Sequence, residues 1–263
     1  MLCVDNWHGV RDIEKMQPKH YFQRLSYKSI PMRLLTLLFL LVAFTAANAQ
    51  TREIKVSQFT DIDVFGPFKV KLIKAPSCRV EIDYNGINAS DVIAKCNNDE
   101  LLIKIRNKGF FDFNDYSDRN GDRPKAVVTI YYTSLESIEI KGGATLRAAD
   151  PIISPKLILV SQMGADVRLQ LQVKELDLES SMGSEVELNG TADAVKIKAK
   201  MGTEVDASAL KCQEVNVSAS MGADVAVFAE KELNASANFG ATISCKGNPP
   251  RKHISEFFGA DVN

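Results

Sequence analysis

Residues 176–205 read LDLESSMGSEVELNGTADAVKIKAKMGTEV. Within them the frame Met182-Gly183-Ser184-Glu185-Val186 returns one unit later as Met201-Gly202-Thr203-Glu204-Val205. The same frame extends in both directions. It appears as Gly143-Ala144-Thr145-Leu146 and Gly164-Ala165-Asp166-Val167 before this stretch, and as Gly222-Ala223-Asp224-Val225, Gly240-Ala241-Thr242-Ile243 and Gly259-Ala260-Asp261-Val262 after it. The glycines recur at positions 143, 164, 183, 202, 222, 240 and 259, a narrow range of spacings. A period near 20 predicts a solenoid, in which each unit buries its apolar side only against its neighbours.

Between the glycines the pattern has period two. Leu176, Leu178, Ser180, Met182, Ser184, Val186 and Leu188 share one parity; Asp177, Glu179, Ser181, Glu185 and Glu187 share the other. One unit later Val195, Ile197, Ala199, Met201, Thr203 and Val205 are expected inside, with Lys196, Lys198, Lys200 and Glu204 outside. This is the alternation of strands with one buried face. By the same parity Met163, Met182, Met201, Met221, Phe239 and Phe258 form an inward column between columns of Ala, Ser and Thr. The expectation is core filling at a narrow corner where the adjacent glycine lets the chain bend, rather than a sulfur-rich copper ladder.

Stacked units place equivalent residues about 4.8 Å apart. Asp166, Glu185, Glu204 and Asp224 are thus expected to form an outward carboxylate ladder, which water tolerates at about 1 kcal/mol per neighbouring pair. A Ca²⁺ site there is unneeded, and the glycine- and aspartate-rich nonapeptide of calcium-binding solenoids is absent. Asp177 and Glu179 face Lys196 and Lys198 one unit on, a pairing that sets register. A glycan- or polyanion-binding stripe is the sharper alternative for those lysines.

Residues 50–140 form a strand-rich N-terminal part without a visible period, and residues 141–263 the regular repeats. Phe59, Ile62, Val64, Phe68, Val70 and Leu72 alternate around Gly66-Pro67, and further strands are expected over 78–84, 101–106 and 126–132. Residues 107–125 are polar but carry Phe110, Phe111, Phe113 and Tyr116, a segment expected to dock on its own domain. The final unit stops at Asn263, which suggests an edge for self-association through the terminal coil.

Residues 32–49 have the form of a secretory signal peptide: Arg33, then an apolar run from Leu34 to Phe44, then Ala47-Asn48-Ala49. The run is too short to span a bilayer, which takes about 20 helical residues. Translation is expected to start at Met32, with residues 1–31 a mis-assigned upstream extension; a cytoplasmic tail with a retained anchor is the alternative. Without residues 1–49 the chain carries 26 basic and 30 acidic residues, a balance that speaks against nucleic acid or anionic membrane as partner. Export permits disulfides among Cys78, Cys96, Cys212 and Cys245; Cys78 and Cys96 could pair, while Cys245 occupies a core column as a buried free thiol. The spacings match no zinc motif.

The opening Phe59-x-x-Ile62-x-Val64-x-Gly66-x-Phe68-x-Val70-x-Leu72, followed by glycine-centred turns between short strands, resembles the putative auto-transporter adhesin, head GIN domain family over most of residues 54–247. The resemblance implies an all-β fold, a right-handed parallel β-helix, which at the period read above has about 19 residues per coil. It also implies secretion by Gram-negative bacteria, with an adhesive role suspected. The turns depart from the family's common Gly-Ser-Gly, being Met/Phe-Gly-Ala/Ser/Thr here. The family brings no catalytic residues to carry over.

Three functions are in view. A secreted, non-enzymatic envelope or surface module, an adhesin or binding protein for an unidentified protein or glycan, fits export and long flat strand faces. A periplasmic structural or signalling partner fits equally in address. A polysaccharide-active β-helix enzyme would use carboxylates near Arg168. Against the enzyme, His253 is the single histidine after residue 49, and no phosphate-binding loop or dinucleotide fingerprint occurs. No catalytic, cofactor-binding or metal-binding residue is nominated, and no cofactor is expected.

Overall fold

The computed structural model describes residues 51–84, 87–106 and 126–263, which are nearly all strand. The signal-peptide segment, the upstream extension and the aromatic segment Phe110–Tyr116 lie outside the described residues. The repeats form a β-solenoid of parallel strands with about 19 residues per coil, the short period of a stacked-strand array. Its long strands are β10 (Ile152–Gln162), β11 (Asp166–Ser181), β12 (Glu185–Lys200), β13 (Glu204–Ser220) and β14 (Asp224–Asn238). They stack in register, so that Leu178 lies on Ile197 and Ile197 on Val217. Beyond them β15 (Thr242–Lys246) and β16 (Arg251–Phe257) both lie on β14, and β17 (Asp261–Val262) lies on β15.

Each coil has two strand faces. The first, exemplified by 175–181, leads into the glycine corner; the second, exemplified by 166–173, leads out of it. Inward residues of both faces, among them Val167, Leu169, Leu171, Leu176 and Leu178, are buried in one continuous core. Each such Val or Leu contributes about 1.5–3 kcal/mol by leaving water.

The glycine corner does not follow strand parity. Met163, Met182, Met201, Met221, Phe239 and Phe258 all have positive φ, 53–58°, and each is followed by a glycine at 64–72°. Two successive left-handed residues are the backbone signature of a type I′ turn. The turn rotates the first side chain out of the alternating pattern. Met182, Met201 and Met221 are 46%, 45% and 55% exposed, and Phe239 and Phe258 are 55% and 76% exposed. The expected inward Met/Phe column is therefore an outward ridge. The core side of the corner is filled by the small flanking columns, Ser161, Ser180, Ala199, Ala219 and Ala237 before it and Ala165, Ser184, Thr203, Ala223 and Ala241 after it, all buried.

Three of the buried hydroxyls in these columns are satisfied locally: Ser180 donates to Thr203 (2.6 Å), Thr203 to the Ser184 carbonyl (2.7 Å) and Ser184 to the Ser181 carbonyl (2.8 Å), whereas Ser161 Oγ has no partner among the described residues. The corner backbone also continues the ladder. The amides of Gly164, Gly183, Gly202, Gly222 and Gly240 donate to the carbonyls of Met182, Met201, Met221, Phe239 and Phe258 one coil on, at 3.0–3.2 Å.

Variation in repeat length is confined to the opposite side of the coil. The register slips between Glu187 and Asn189 against β13, and between Asp206 and Glu214 against β14. A cap at Asp206, which accepts from the Ser208 amide at 2.9 Å, accommodates the longer coil.

The strand-rich N-terminal part builds coils too, but out of chain order. β2 (Asp61–Phe65) lies between β6 (Glu100–Ile105) and β8 (Ser137–Lys141), all parallel. β3 (Phe68–Lys74) likewise lies between β7 (Ala126–Tyr132) and β9 (Thr145–Ala148). The Gly66 amide donates to the Lys141 carbonyl at 3.0 Å, so Gly66-Pro67 is the corner stacked on Gly142-Gly143. Antiparallel strands cover the outer edge of this end: β5 (Val92–Asn97) on β6, and β4 (Arg79–Asp83) on β7 with β1 (Thr51–Ile54) beyond it.

All four described cysteines are free thiols, which corrects the pairing of Cys78 with Cys96. They accompany strands laid on different faces: Cys78 precedes β4 and lies 3.9 Å from Thr133 Oγ1, whereas Cys96 on β5 lies 3.1 Å from Ser57 Oγ. Cys245 is only partly buried, while Cys212 is buried and its thiol is pushed up to about 12 by that burial, with Glu230 adding to the shift.

Two glycines separate space from backbone angle. A Cβ on Gly190 (φ +114°) would collide with the Leu171 carbonyl of the preceding coil, whereas one on Gly183 (φ +69°) would meet nothing within 4 Å. Gly183→Ala is expected to cost about 1–2 kcal/mol, from the left-handed backbone alone. Gly190→Ala should exceed about 3 kcal/mol, because two strands must separate. Urea denaturation measures both, and equal losses would refute the close approach. A second expectation concerns Cys212: iodoacetamide at pH 8 should leave it unmodified in the folded protein and label it once denaturant is added.

Candidate functional site

Outward residues of the first face form a patterned surface. Along β12 they are Lys196, Lys198 and Lys200; along β13, Asn216, Ser218 and Ser220; along β14, Asn234, Ser236 and Asn238; and along β16, His253, Ser255 and Phe257. Rows lie about 4.8 Å apart across the strands and alternate residues about 6.6–6.8 Å apart along them. The two central rows carry short side chains and the flanking rows carry longer ones. The result is a shallow groove of about 330 Å³ with Asn216, Ser218, Asn234 and Ser236 as its floor, Lys196 and Lys198 on one wall and His253 on the other. His253 is thus an exposed wall residue in register with Asn234.

Charge in the groove is unevenly paired. Lys196 approaches Asp177 at 3.8 Å and Lys156 approaches Glu175 at 3.9 Å, which sets the carboxylates of a second depression aside as structural pairs. Lys198 stands opposite Glu179 in register but makes no ion pair among the described residues. At the far end Asn234 donates to Glu232 (3.0 Å) and Arg251 pairs with it (2.8 Å). The Asn234 amide first, and Arg251 after it, hold the Glu232 carboxyl below its usual range. The floor offers amide and hydroxyl groups, suited to hydrogen-bonding a ligand laid flat across the strands.

The carboxylate ladder stands on the other face, as expected: Asp166 lies on Glu185, Glu185 on Glu204 and Glu204 on Asp224. Its first two rungs are neutralised by arginines. Arg147 reaches Asp166 at 2.6 Å, and Arg168 fans over Asp166 (3.6 Å), Glu185 (3.2 Å) and Glu187 (3.4 Å). The carboxylates near Arg168 are therefore clamped in ion pairs. Glu204 and Asp224 make none among the described residues. No group of three or more His, Cys, Asp and Glu among the described residues is placed to hold a metal ion.

Neither the groove nor the Met/Phe ridge follows from motif reading. The signal for the groove is present as the size profile Lys-Lys-Lys, Asn-Ser-Ser, Asn-Ser-Asn across equivalent positions, legible only once the register is known.

Known proteins share this fold. The family model described as "Putative auto-transporter adhesin, head GIN domain" matches residues 58–249. No curated protein matches the chain. Among solved structures, a putative adhesin from Bacteroides fragilis superposes with a TM-score of 0.71 at 22% identity, covering 81% of this chain and 95% of that one. A putative adhesin from Parabacteroides distasonis gives 0.63 at 16% identity, covering 81% and 96%. A putative lipid binding protein from the same species gives 0.59 at 18% identity, covering 83% and 98%. At these identities the likeness is one of fold.

The arginine fan has a measurable signature. Arg168→Ala should lower stability by about 0.5–1 kcal/mol in low salt, with most of that difference gone at 0.5 M NaCl, because the pairs are half-exposed and screened. Thermal denaturation at the two salt concentrations measures it; a salt-independent loss would mean that Arg168 acts through packing instead.

Proposed function

This chain belongs to the putative auto-transporter adhesin, head GIN domain family, and on that premise we propose that it is an exported, non-enzymatic surface protein that binds its ligand on the flat first face of the solenoid. The observation that carries the reading is the groove: a floor of Asn and Ser between walls of Lys and His, rigidly spaced by the strand register. A flat, preorganised array of amides and hydroxyls binds by many modest hydrogen bonds and needs no rearrangement. Such a surface suits adhesion. Its floor holds no facing pair of carboxylates, and the nearby Glu175 and Asp177 are engaged by Lys156 and Lys196. The fold and family likewise support binding over catalysis. No helix among the described residues is long and apolar enough to cross a membrane.

Two experiments separate this reading from its alternatives. Intact native cells are digested with a protease and the chain is followed by mass spectrometry, with a periplasmic protein as leakage control. Loss from intact cells is expected; protection until the outer membrane is opened would favour a periplasmic structural or signalling partner. The purified chain is then applied to an array of immobilised neutral and acidic polysaccharides. Binding is expected, and Ser218→Trp with Ser236→Trp, which fill the groove from the outside, should reduce it by about tenfold or more. Binding that survives the filled groove would move the contact to another face.

A further inference from the structure

The corner ridge carries a second chemistry. We propose that the thioethers of Met182, Met201 and Met221, with Met163 at their margin, form a binding site for a soft monovalent metal ion, Cu(I). The proposal is independent of the adhesive reading of the groove.

The first observation is the placement of the sulfurs. Four successive coils present methionine at one position, and the corner hydrogen bonds between Gly164, Gly183 and Gly202 and the Met182, Met201 and Met221 carbonyls lock those positions into a column. Neighbours in such a column are about 4.8 Å apart at the backbone. Methionine has three rotatable bonds beyond Cα, so adjacent thioethers can converge on one ion without moving the strands. Thioethers are soft ligands that select Cu(I) over the hard and borderline divalent ions.

The second is strain. A bulky residue at positive φ costs about 1 kcal/mol or more, and glycine, which occupies the equivalent position at Gly142, would relieve it. The chain bears that cost at six consecutive corners, four methionines followed by Phe239 and Phe258, and leaves Met182, Met201 and Met221 about half exposed. Filling the core does not explain it, since the core side of each corner is already packed with Ser, Thr and Ala. Bulk serves at the last two corners, where the rings of Phe239 and Phe258 stack at 5.0 Å; at the four before them methionine, and never leucine, supplies the bulk together with a donor atom.

The third is charge. Glu204 and Asp224 follow Met201 and Met221 by three positions, stack in register, and are the rungs of the ladder without an ion pair among the described residues. They put carboxylates three residues from the two most C-terminal thioethers, with Lys200 directly before Met201 as the one opposing charge next to them in sequence. The arginines neutralise only the rungs at 166 and 185.

The test uses the full chain with accessible thiols first alkylated, because the free cysteines would otherwise compete for the same ion. Cu(I) is supplied as its bicinchoninate complex under reducing, anaerobic conditions, and loss of the chelate absorbance reports transfer. About one Cu(I) per chain is expected to move, with uptake unchanged from pH 8 to pH 5 because a thioether has no proton to lose. The triple variant Met182→Leu, Met201→Leu, Met221→Leu keeps the ridge apolar and of similar volume, and should weaken uptake by at least about tenfold. In a parallel measurement that needs no variant, Ag(I) should shift the ¹³C-methyl resonances of the ridge methionines in the wild-type chain. Absence of transfer, equal transfer to the leucine variant, uptake that fades on acidification, or unmoved methyl resonances would each overturn the site.

Discussion

The structure rests on the backbone hydrogen bond between the glycine amide of one corner and the Met or Phe carbonyl of the next. In an ordinary turn the central peptide groups face water. Here they extend the sheet ladder around the bend, so adjacent coils are joined through the corner as well as along both faces. From Gly142-Gly143 to Phe258-Gly259 each corner adopts the same left-handed pair of residues, and that conformation explains the glycine at the second position. The small Ser, Thr and Ala columns follow from the same constraint, because strands brought together by so tight a bend leave little room inside.

Holding one corner invariant moves all tolerance to the other side of the coil. Coils that are one residue longer or shorter than their neighbours differ through slips near Glu187–Asn189, near Asp206–Glu214 and between Lys246 and Arg251. The first face therefore keeps its register across β11 to β16, and outward residues on it form straight rows. Both the groove and the carboxylate–lysine pairing are products of that regularity. On the second face the arginine fan serves the opposite end: it binds the carboxylate rungs that the period would otherwise leave facing one another.

Legibility in the sequence divided along the same line. The glycine period and the two-residue alternation sufficed for the solenoid, the coil length, the core of Leu176, Leu178, Val195 and Ile197, and the facing of Asp177 with Lys196. Parity failed at the corner itself, because a left-handed residue rotates its side chain out of the strand alternation; Met182 and its equivalents went from expected core to exposed ridge. The coils of the first half were invisible because β2 and β3 are neighbours in space of strands far along the chain, so no short period marks them. The groove could not be seen because none of its residues belongs to a motif; it arises from differences in side-chain length between adjacent rows. The free thiols were likewise a matter of topology, since Cys78 and Cys96 accompany strands that cover different faces.

The out-of-order first coil bears on how the molecule is assembled. β2 and β3 emerge before every strand that will flank them, and their partners β6, β7, β8 and β9 follow only much later in the chain. Until those arrive, the earliest hydrophobic ribbon of the chain has both of its edges open. Such non-local pairings close slowly, and unpaired edges recruit whatever strand is nearest. The regular coils from β10 onward have the opposite character, each adding to the one just completed. The protein therefore combines a zipper with a clasp that must be threaded from both sides, and the clasp is where newly made chains are most exposed to each other.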